Sequence, residues 1–410
     1  MSYNFIDHVT TLQENIFQFL CYIDPTQVSK YKALLSDVQT ELTNSEVVTL
    51  QTPQLVLINS FPDDPEQTAL CKRQAVTRLS TLLRLYKDIQ LNSETLKTVI
   101  VKKPIFIIGL PRTGSTTLFN LMSSHPKMHY YHAWQTMCPG FSTVSEEAQR
   151  KFTLRLKSVM LGGTSDFEKI HAIDIEKNEE CMFQYDCYGI SYSHFFALPM
   201  YAEWAEKFLT TDWKSLMDFE WNIYKLNLLR NPIKDDQFFL TKNVALLSVL
   251  PELLESCDDA RIVWIHRNPS DQVKSAIPFF SAIQNAFLSK KQKDVLDTKW
   301  LEKNIVDLQN KILHQAVDAR NEWVQKHEER KNQFYDVKFD DLIQDPIGTV
   351  VSLFNQFGIE TTETDIEIMK RSIESDPQDK VGRLTTSGES SDFDKDSIES
   401  TFEWYKTLYL

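Results

Sequence analysis

Positive charge is scarce in this chain: 44 Lys and Arg stand against 57 Asp and Glu, giving a net charge of −13 at pH 7. A protein of that sign repels a polyphosphate backbone, which argues against nucleic acid as its main partner. Long apolar runs are also missing. No stretch of about 18 apolar residues reads as a membrane span, and Met1 is not followed by the charged start and apolar core of a secretory signal. The six cysteines, Cys21, Cys71, Cys138, Cys181, Cys187 and Cys257, lack the paired spacing of a metal site. They are expected to be reduced thiols in a cytoplasmic protein rather than a disulfide framework. At 410 residues the chain can bury a large core, and the pattern divides it into a helical extension over 1–100 and one large domain over 101–410.

The next absence is a single lysine. Ile105 to Leu118 reads IFIIGLPRTGSTTL, an apolar run of the kind a buried parallel strand shows, then a turn rich in Gly and hydroxyls, then a helix start. Gly109 and Gly114 have the spacing of a P-loop and Thr116 fits its hydroxyl position, but Ser115 stands where the lysine belongs. That lysine reaches the β and γ phosphates of a triphosphate, so its absence argues against a nucleotide whose γ phosphate is cleaved. Arg112 supplies a cation from within the loop instead. A helix beginning near Ser115 would aim its first N–H groups and its positive end at an anion, with the hydroxyls of Ser115, Thr116 and Thr117 as further donors.

A second segment, Arg261 to Ser275, reads RIVWIHRNPSDQVKS. Ile262 to Ile265 suits another buried strand, Pro269 ends it, and a helix capped near Ser270 or Asp271 is predicted to follow. Arg267 would then emerge at the carboxyl end of a parallel strand, where ligands of open α/β sheets sit. Ser275, one to two turns into the helix, can return toward the same place. A guanidinium grips phosphate oxygens in pairs.

Together the two segments resemble the sulfotransferases that use 3′-phosphoadenosine 5′-phosphosulfate (PAPS) as donor. GLPRTGSTTL is similar to their 5′-phosphosulfate loop and RNPSDQVKS to their 3′-phosphate motif. Further pieces point to the branch with bacterial and small-molecule enzymes, distantly related to the tyrosylprotein sulfotransferases: HAIDIEKNEEC at His171–Cys181, LTKNVALL at Leu240–Leu247 and VKFDDLIQDPIGTV at Val337–Val350. The resemblance runs from about Lys103 to the C-terminus, its specificity lying in the ordered set of motifs. It implies a three-layer P-loop-like α/β fold, a central parallel β-sheet flanked by helices. It implies donor contacts from Arg112, Thr113, Gly114, Ser115, Thr116, Thr117, Arg267 and Ser275, release of 3′-phosphoadenosine 5′-phosphate (PAP), and no metal.

Sulfuryl transfer needs charge neutralised on the sulfuryl and bridging oxygens, much as phosphoryl transfer does. Arg112 and Lys242, the latter at the end of the strand-like run Phe238–Thr241, are the candidates. The acceptor hydroxyl also needs a base. Family members often carry a Glu after a Trp downstream of the loop, whereas here Trp134 is followed by Gln135, whose amide takes no proton. His171 is the first candidate in its place, since an unperturbed imidazole titrates near about 6.5; Glu180 comes next, with Glu179 and His132 behind.

Aromatic density over Cys181–Tyr201, with Phe183, Tyr185, Tyr188, Tyr192, Phe195, Phe196 and Tyr201 beside His194, suits either core or the wall of a pocket for an amphipathic or aromatic alcohol. Helical spacing over Phe5–Leu20, Val28–Leu42 and a stretch from Pro65 to about Leu91 offers surfaces for packing, a homodimer or cover for the acceptor site. The polar segment Thr385–Asp396 reads as a loop. Three functions remain open: a PAPS-dependent sulfotransferase acting on a small-molecule hydroxyl, a P-loop kinase or other phosphotransferase, and a catalytically inactive PAPS- or PAP-binding interaction protein.

Overall fold

The computed structural model describes residues 81–82, 84–139, 145–160, 173–187, 192–198, 202–210, 213–288, 298–375 and 393–410. Most of the expected N-terminal extension therefore lies outside the described residues; of it, 81–82 and 84–91 are helical and a short helix spans Ser93–Leu96. Five strands form one sheet: β1 (Ile105–Gly109), β2 (Met128–His129), β3 (Phe238–Lys242), β4 (Arg261–His266) and β5 (Phe334–Lys338). Their order is β2-β3-β1-β4-β5, and every pairing is parallel. β1 sits at the centre, with Ile105–Ile107 against Leu240–Lys242 on one side and Ile105–Gly109 against Arg261–Ile265 on the other.

This order explains both the composition of the strands and the position of the crevice. All five residues of β1 and of β3 are buried, because helices cover both faces of the sheet and alternate side chains enter opposite layers. Phe106, Ile108, Phe239, Ile262 and Trp264 join one apolar cluster, while Ile105, Ile107, Leu240, Val263, Ile265 and Val337 join the other. The chain leaves β1 toward β2 and β3 on one side and later reaches β4 and β5 on the other. The carboxyl ends of β1, β3 and β4 thus flank a switch point, the place where an open α/β sheet binds ligands.

Boundaries shifted in small ways. The helix after β4 spans Pro269–Phe287 and is capped by Asn268, whose Oδ1 accepts from Ser270 N–H at 3.0 Å, rather than by Ser270 or Asp271. Pro269 has no N–H to leave unbonded at the first helical position, so the cap falls one residue before it. The stretch Leu246–Leu254 reads from the sequence as one helix before β4; the structure instead has a 3₁₀ turn, Val244–Val249, followed by the helix Leu250–Ser256. Lys395 and Asp396, expected in a loop, begin the helix Lys395–Thr401, capped by Asp394. No helix among the described residues is long and apolar enough to cross a membrane.

The end of β4 is fixed by a buried polar chain. His266 is fully buried; its Nδ1 lies 2.5 Å from Tyr405 Oη and its Nε2 2.8 Å from Asp336 Oδ1. Arg320 grips the same carboxylate with both terminal nitrogens, at 2.6 and 2.7 Å. Trp264 and Tyr409 flank the imidazole, Tyr409 stacking 4.4 Å away. The C-terminal helix Glu403–Tyr409 is thereby locked to the strand that delivers Arg267. Burial would raise the Asp336 carboxyl, but the hydrogen bonds from His266 and Arg320 outweigh it and hold the group well below the usual carboxylate range. A depressed pKa stabilises the fold above the unfolded value of about 3.9 and ceases to do so as pH falls through the folded value. Asp336→Asn should therefore lower the melting temperature at neutral pH, and the gap to wild type should narrow progressively as pH falls below about 5. A gap that stays constant across that range in thermal melts would contradict the ion-pair account.

Candidate active site

The turn after β1 needs three residues with positive φ, which explains much of its sequence. Gly109 has φ 150°, and a Cβ there would come within 2.9 Å of Ile265 O on the neighbouring strand. Gly114 has φ 88° and caps the helix Ser115–Ser123; a Cβ there would meet the Phe339 ring at 2.9 Å. Arg112, with φ 69°, is the residue in the turn that bears a side chain in the left-handed region, a conformation costing a non-glycine residue roughly 1–3 kcal/mol. Two bonds compensate. Arg267 Nη1 donates to Arg112 O at 2.7 Å, and Thr113 Oγ1 donates to Leu110 O at 2.8 Å. Leu118 N–H is bonded to Gly114 O at 3.1 Å, so the N–H groups of the helix's first turn point into the space over the loop.

Two guanidiniums crowd this space. Arg112 Nε donates to Ser275 Oγ at 3.4 Å, and the Arg112 and Arg267 side chains lie over Phe279 at 5.8 Å and Phe339 at 4.2 Å respectively. Burial and then the charge of Arg267 lower the Arg112 pKa, and burial lowers that of Arg267; both guanidiniums stay charged at any physiological pH. Among the described residues neither has a carboxylate within ion-pairing distance, 4.0 Å. Half-buried and like-charged, with Asp271 and Asp340 acting on Arg267 only from beyond ion-pairing distance, the pair among the described residues is arranged for an anion.

Across the loop, Lys242 stands at the end of β3 with 2% exposure. Its Nζ is 3.0 Å from Thr116 Oγ1, 3.3 Å from Glu180 Oε2 and 4.0 Å from Glu179 Oε1. Glu180 is itself fixed, since its Oε1 accepts from Val244 N–H at 2.8 Å, and the segment carrying it is stitched to β3 by Cys181 N–H donating to Lys242 O at 2.9 Å. Arg112, the run Thr113–Thr117, Arg267, Ser275, Lys242 and Glu180 therefore meet around the carboxyl ends of β1, β3 and β4. His171 lies outside the described residues.

Gln135 has a structural role in its own helix. It is buried, and its Oε1 accepts from His132 N–H at 2.9 Å, capping the helix Ala133–Met137. His132 forms a bridge to Asn178, and Ala133 N–H donates to Lys177 O at 2.7 Å, so this short helix holds the acidic segment along the loop helix. Asn178 completes the contact by donating to Asn120 Oδ1 at 3.0 Å. In the aromatic stretch, Tyr185, Tyr192, Phe195 and Phe196 belong to the core, while Tyr188 and Tyr201 lie outside the described residues. Phe339 and Asn243 were missed from the sequence; both directly follow residues at strand ends, which was the available signal.

Residues 104–363 match the sulfotransferase family. The chain belongs to that family. Two solved structures share its architecture: sulfotransferase STF1 from Mycobacterium tuberculosis (TM-score 0.66, 21% identity, covering 88% of this chain and 93% of that one) and sulfotransferase STF9 from Mycobacterium avium (TM-score 0.64, 19% identity, covering 87% and 89%). At that identity the likeness concerns the fold. No curated protein matches the sequence. In this sulfotransferase the loop geometry itself can be tested. Gly114→Ala should cost about 1–2 kcal/mol for the left-handed backbone, plus the displacement of Phe339. Adding Phe339→Leu should relieve only the second part. A denaturant midpoint unchanged by Gly114→Ala would refute the loop conformation.

Proposed function

We propose that the protein transfers a sulfuryl group from PAPS to a hydroxyl of a small molecule, releasing PAP. The observation that carries this reading is the pair Arg112 and Arg267, two cations without a carboxylate partner among the described residues, bonded through Arg112 O and flanked by Ser275. PAPS presents a 5′-phosphosulfate and a separate 3′-phosphate. The loop, with Arg112, Thr113, Gly114 and the hydroxyls of Ser115, Thr116 and Thr117, suits the first group; Arg267 and Ser275 suit the second. Ser115 in place of the P-loop lysine is consistent with a donor that has no γ phosphate.

In the proposed reaction the acceptor oxygen attacks sulfur as the bond to the bridging oxygen breaks, and the electron pair leaves with the 5′-phosphate. Lys242, buried and bonded to Thr116, faces the charge that builds on the bridging oxygen, while Arg112 faces the sulfuryl oxygens. The acceptor proton goes to a carboxylate or imidazole. Glu180 is the described candidate, one oxygen held by Val244 N–H and the other turned to Lys242; His171 is the alternative base. The use of Gln135 as a cap, where family members often carry a Glu, supports a second reading in which the chain binds PAP without transferring sulfate.

Arg267→Ala should weaken PAP binding by about 1.5–3 kcal/mol, the worth of a charge-assisted phosphate contact; unchanged affinity in calorimetry would remove Arg267 from the donor site. Lys242→Ala should lower turnover by about a hundredfold or more while leaving PAP affinity within a few-fold. Radiolabelled PAPS incubated with a cell extract and the protein should label a small hydroxyl compound. Tight PAP binding with no labelled product would favour the second reading.

A further inference from the structure

Glu220, on the helix Lys214–Arg230, is 1% exposed and has no ion-pair partner among the described residues. An uncompensated buried carboxylate is costly, and a leucine would fill the same core more cheaply. Three neutral donors meet it: Tyr185 Oη at 2.7 Å on Oε2, and Tyr224 Oη and Asn243 Nδ2 on Oε1, the amide at 3.2 Å. Burial raises its carboxyl to about 7 against the pull of those donors.

Two of those donors lie in the very segments that form the Lys242–Glu180 pair. Tyr185 lies on the short helix Phe183–Cys187 that follows Glu180, and Asn243 is the residue after Lys242. The Asn243 amide works in both directions. Its Nδ2 is held by Glu220, and its Oδ1 accepts from Ala245 N–H at 3.0 Å, setting the turn in which Val244 N–H holds Glu180 Oε1. Below them, Thr241 Oγ1 donates to Cys181 Sγ at 2.9 Å, a further tie between the same two segments. A chain of contacts thus runs from Glu220 by a hydrogen bond to Asn243, through the backbone of its turn to the Val244 N–H that holds Glu180, and then by an ion pair to Lys242 and a hydrogen bond to Thr116 in the loop.

We propose that Glu220 is a positioning residue for the sulfotransferase reaction: through Asn243 and Tyr185 it fixes the Glu180–Lys242 pair against Thr116 while touching neither substrate. The proposal rests on reading Lys242 and Glu180 as groups of the reacting site. Because the clamp acts on the Lys242 side of the crevice and not on Arg267, it governs turnover more than donor affinity.

The test uses the full chain with Glu220→Ala, Glu220→Gln and Asn243→Ala. Glu220→Ala should lower kcat by about ten- to a hundredfold, the scale of a misplacement near 1 Å, with little change in PAP affinity by calorimetry. Glu220→Gln keeps an oxygen for Asn243 and Tyr224 and should restore most of the turnover. Asn243→Ala leaves the carboxylate and both tyrosine bonds in place and should reproduce the split, and it decides the matter if Glu220→Ala does not fold. Unchanged turnover in both alanine variants would overturn the proposal, as would turnover and PAP affinity falling together with melting temperature in all three. If the wild type transfers no sulfuryl group from PAPS, the functional reading has failed, and a crystal structure of Glu220→Ala still decides the clamp. Lys242 Nζ displaced from Thr116 Oγ1 would support it; the contact retained would overturn it.

Discussion

The bond from Arg267 to the carbonyl of Arg112 is the constraint on which the site depends. It joins the end of β4 to the turn after β1, and it holds a residue with a side chain in a left-handed conformation that the chain would otherwise avoid. The same bond brings two guanidiniums together with no carboxylate partner among the described residues. Their mutual repulsion and partial burial are unfavourable without an anion and relieved by one. Strain and charge concentrated in one place are what a site poised for an anionic ligand shows.

The rest of the fold holds the two ends of that bond. β4 is anchored by His266, which ties Asp336, Tyr405 and, through Asp336, Arg320 into one buried chain. β1 is anchored by its central place in the sheet, paired on both sides. The third corner, the end of β3, is held less directly. Lys242 reaches the loop through Thr116, and its alignment depends on an acidic segment that is not part of the sheet. Cross-ties from Cys181, Val244 and Asn243 supply what the β-ladder cannot.

Local features were legible in the sequence, and long-range pairings were not. The strands at Ile105–Gly109 and Arg261–His266 were readable because burial on both faces makes them nearly continuous apolar runs. The loop was readable because Gly109 and Gly114 are required by backbone geometry. Asn268 escaped as a cap because several good cap formers stand side by side there, and only Pro269 decides among them. Glu220 gave no signal. Its significance lies in Tyr185 and Asn243, partners on other segments of the chain that join Tyr224 of its own helix, and an acidic residue in a helix ordinarily reads as solvent-facing. Gln135 stands where the family often carries a Glu, and nothing in the sequence signalled that its oxygen also caps its own helix. Tyr185, Tyr192, Phe195 and Phe196 are core, a question that density alone left open, whereas Phe183 is half-buried against a separate small cluster.

The central claim is that one crevice holds two separate anionic groups of one donor. Calorimetry comparing PAP with 5′-AMP and with ATP tests it most directly. The account predicts that PAP binds about a hundredfold or more tighter than 5′-AMP, because the 3′-phosphate adds charge-assisted contacts worth about 1.5–3 kcal/mol each, and that ATP does not match it. Equal affinity for PAP and 5′-AMP, or tighter binding of ATP, would contradict the account.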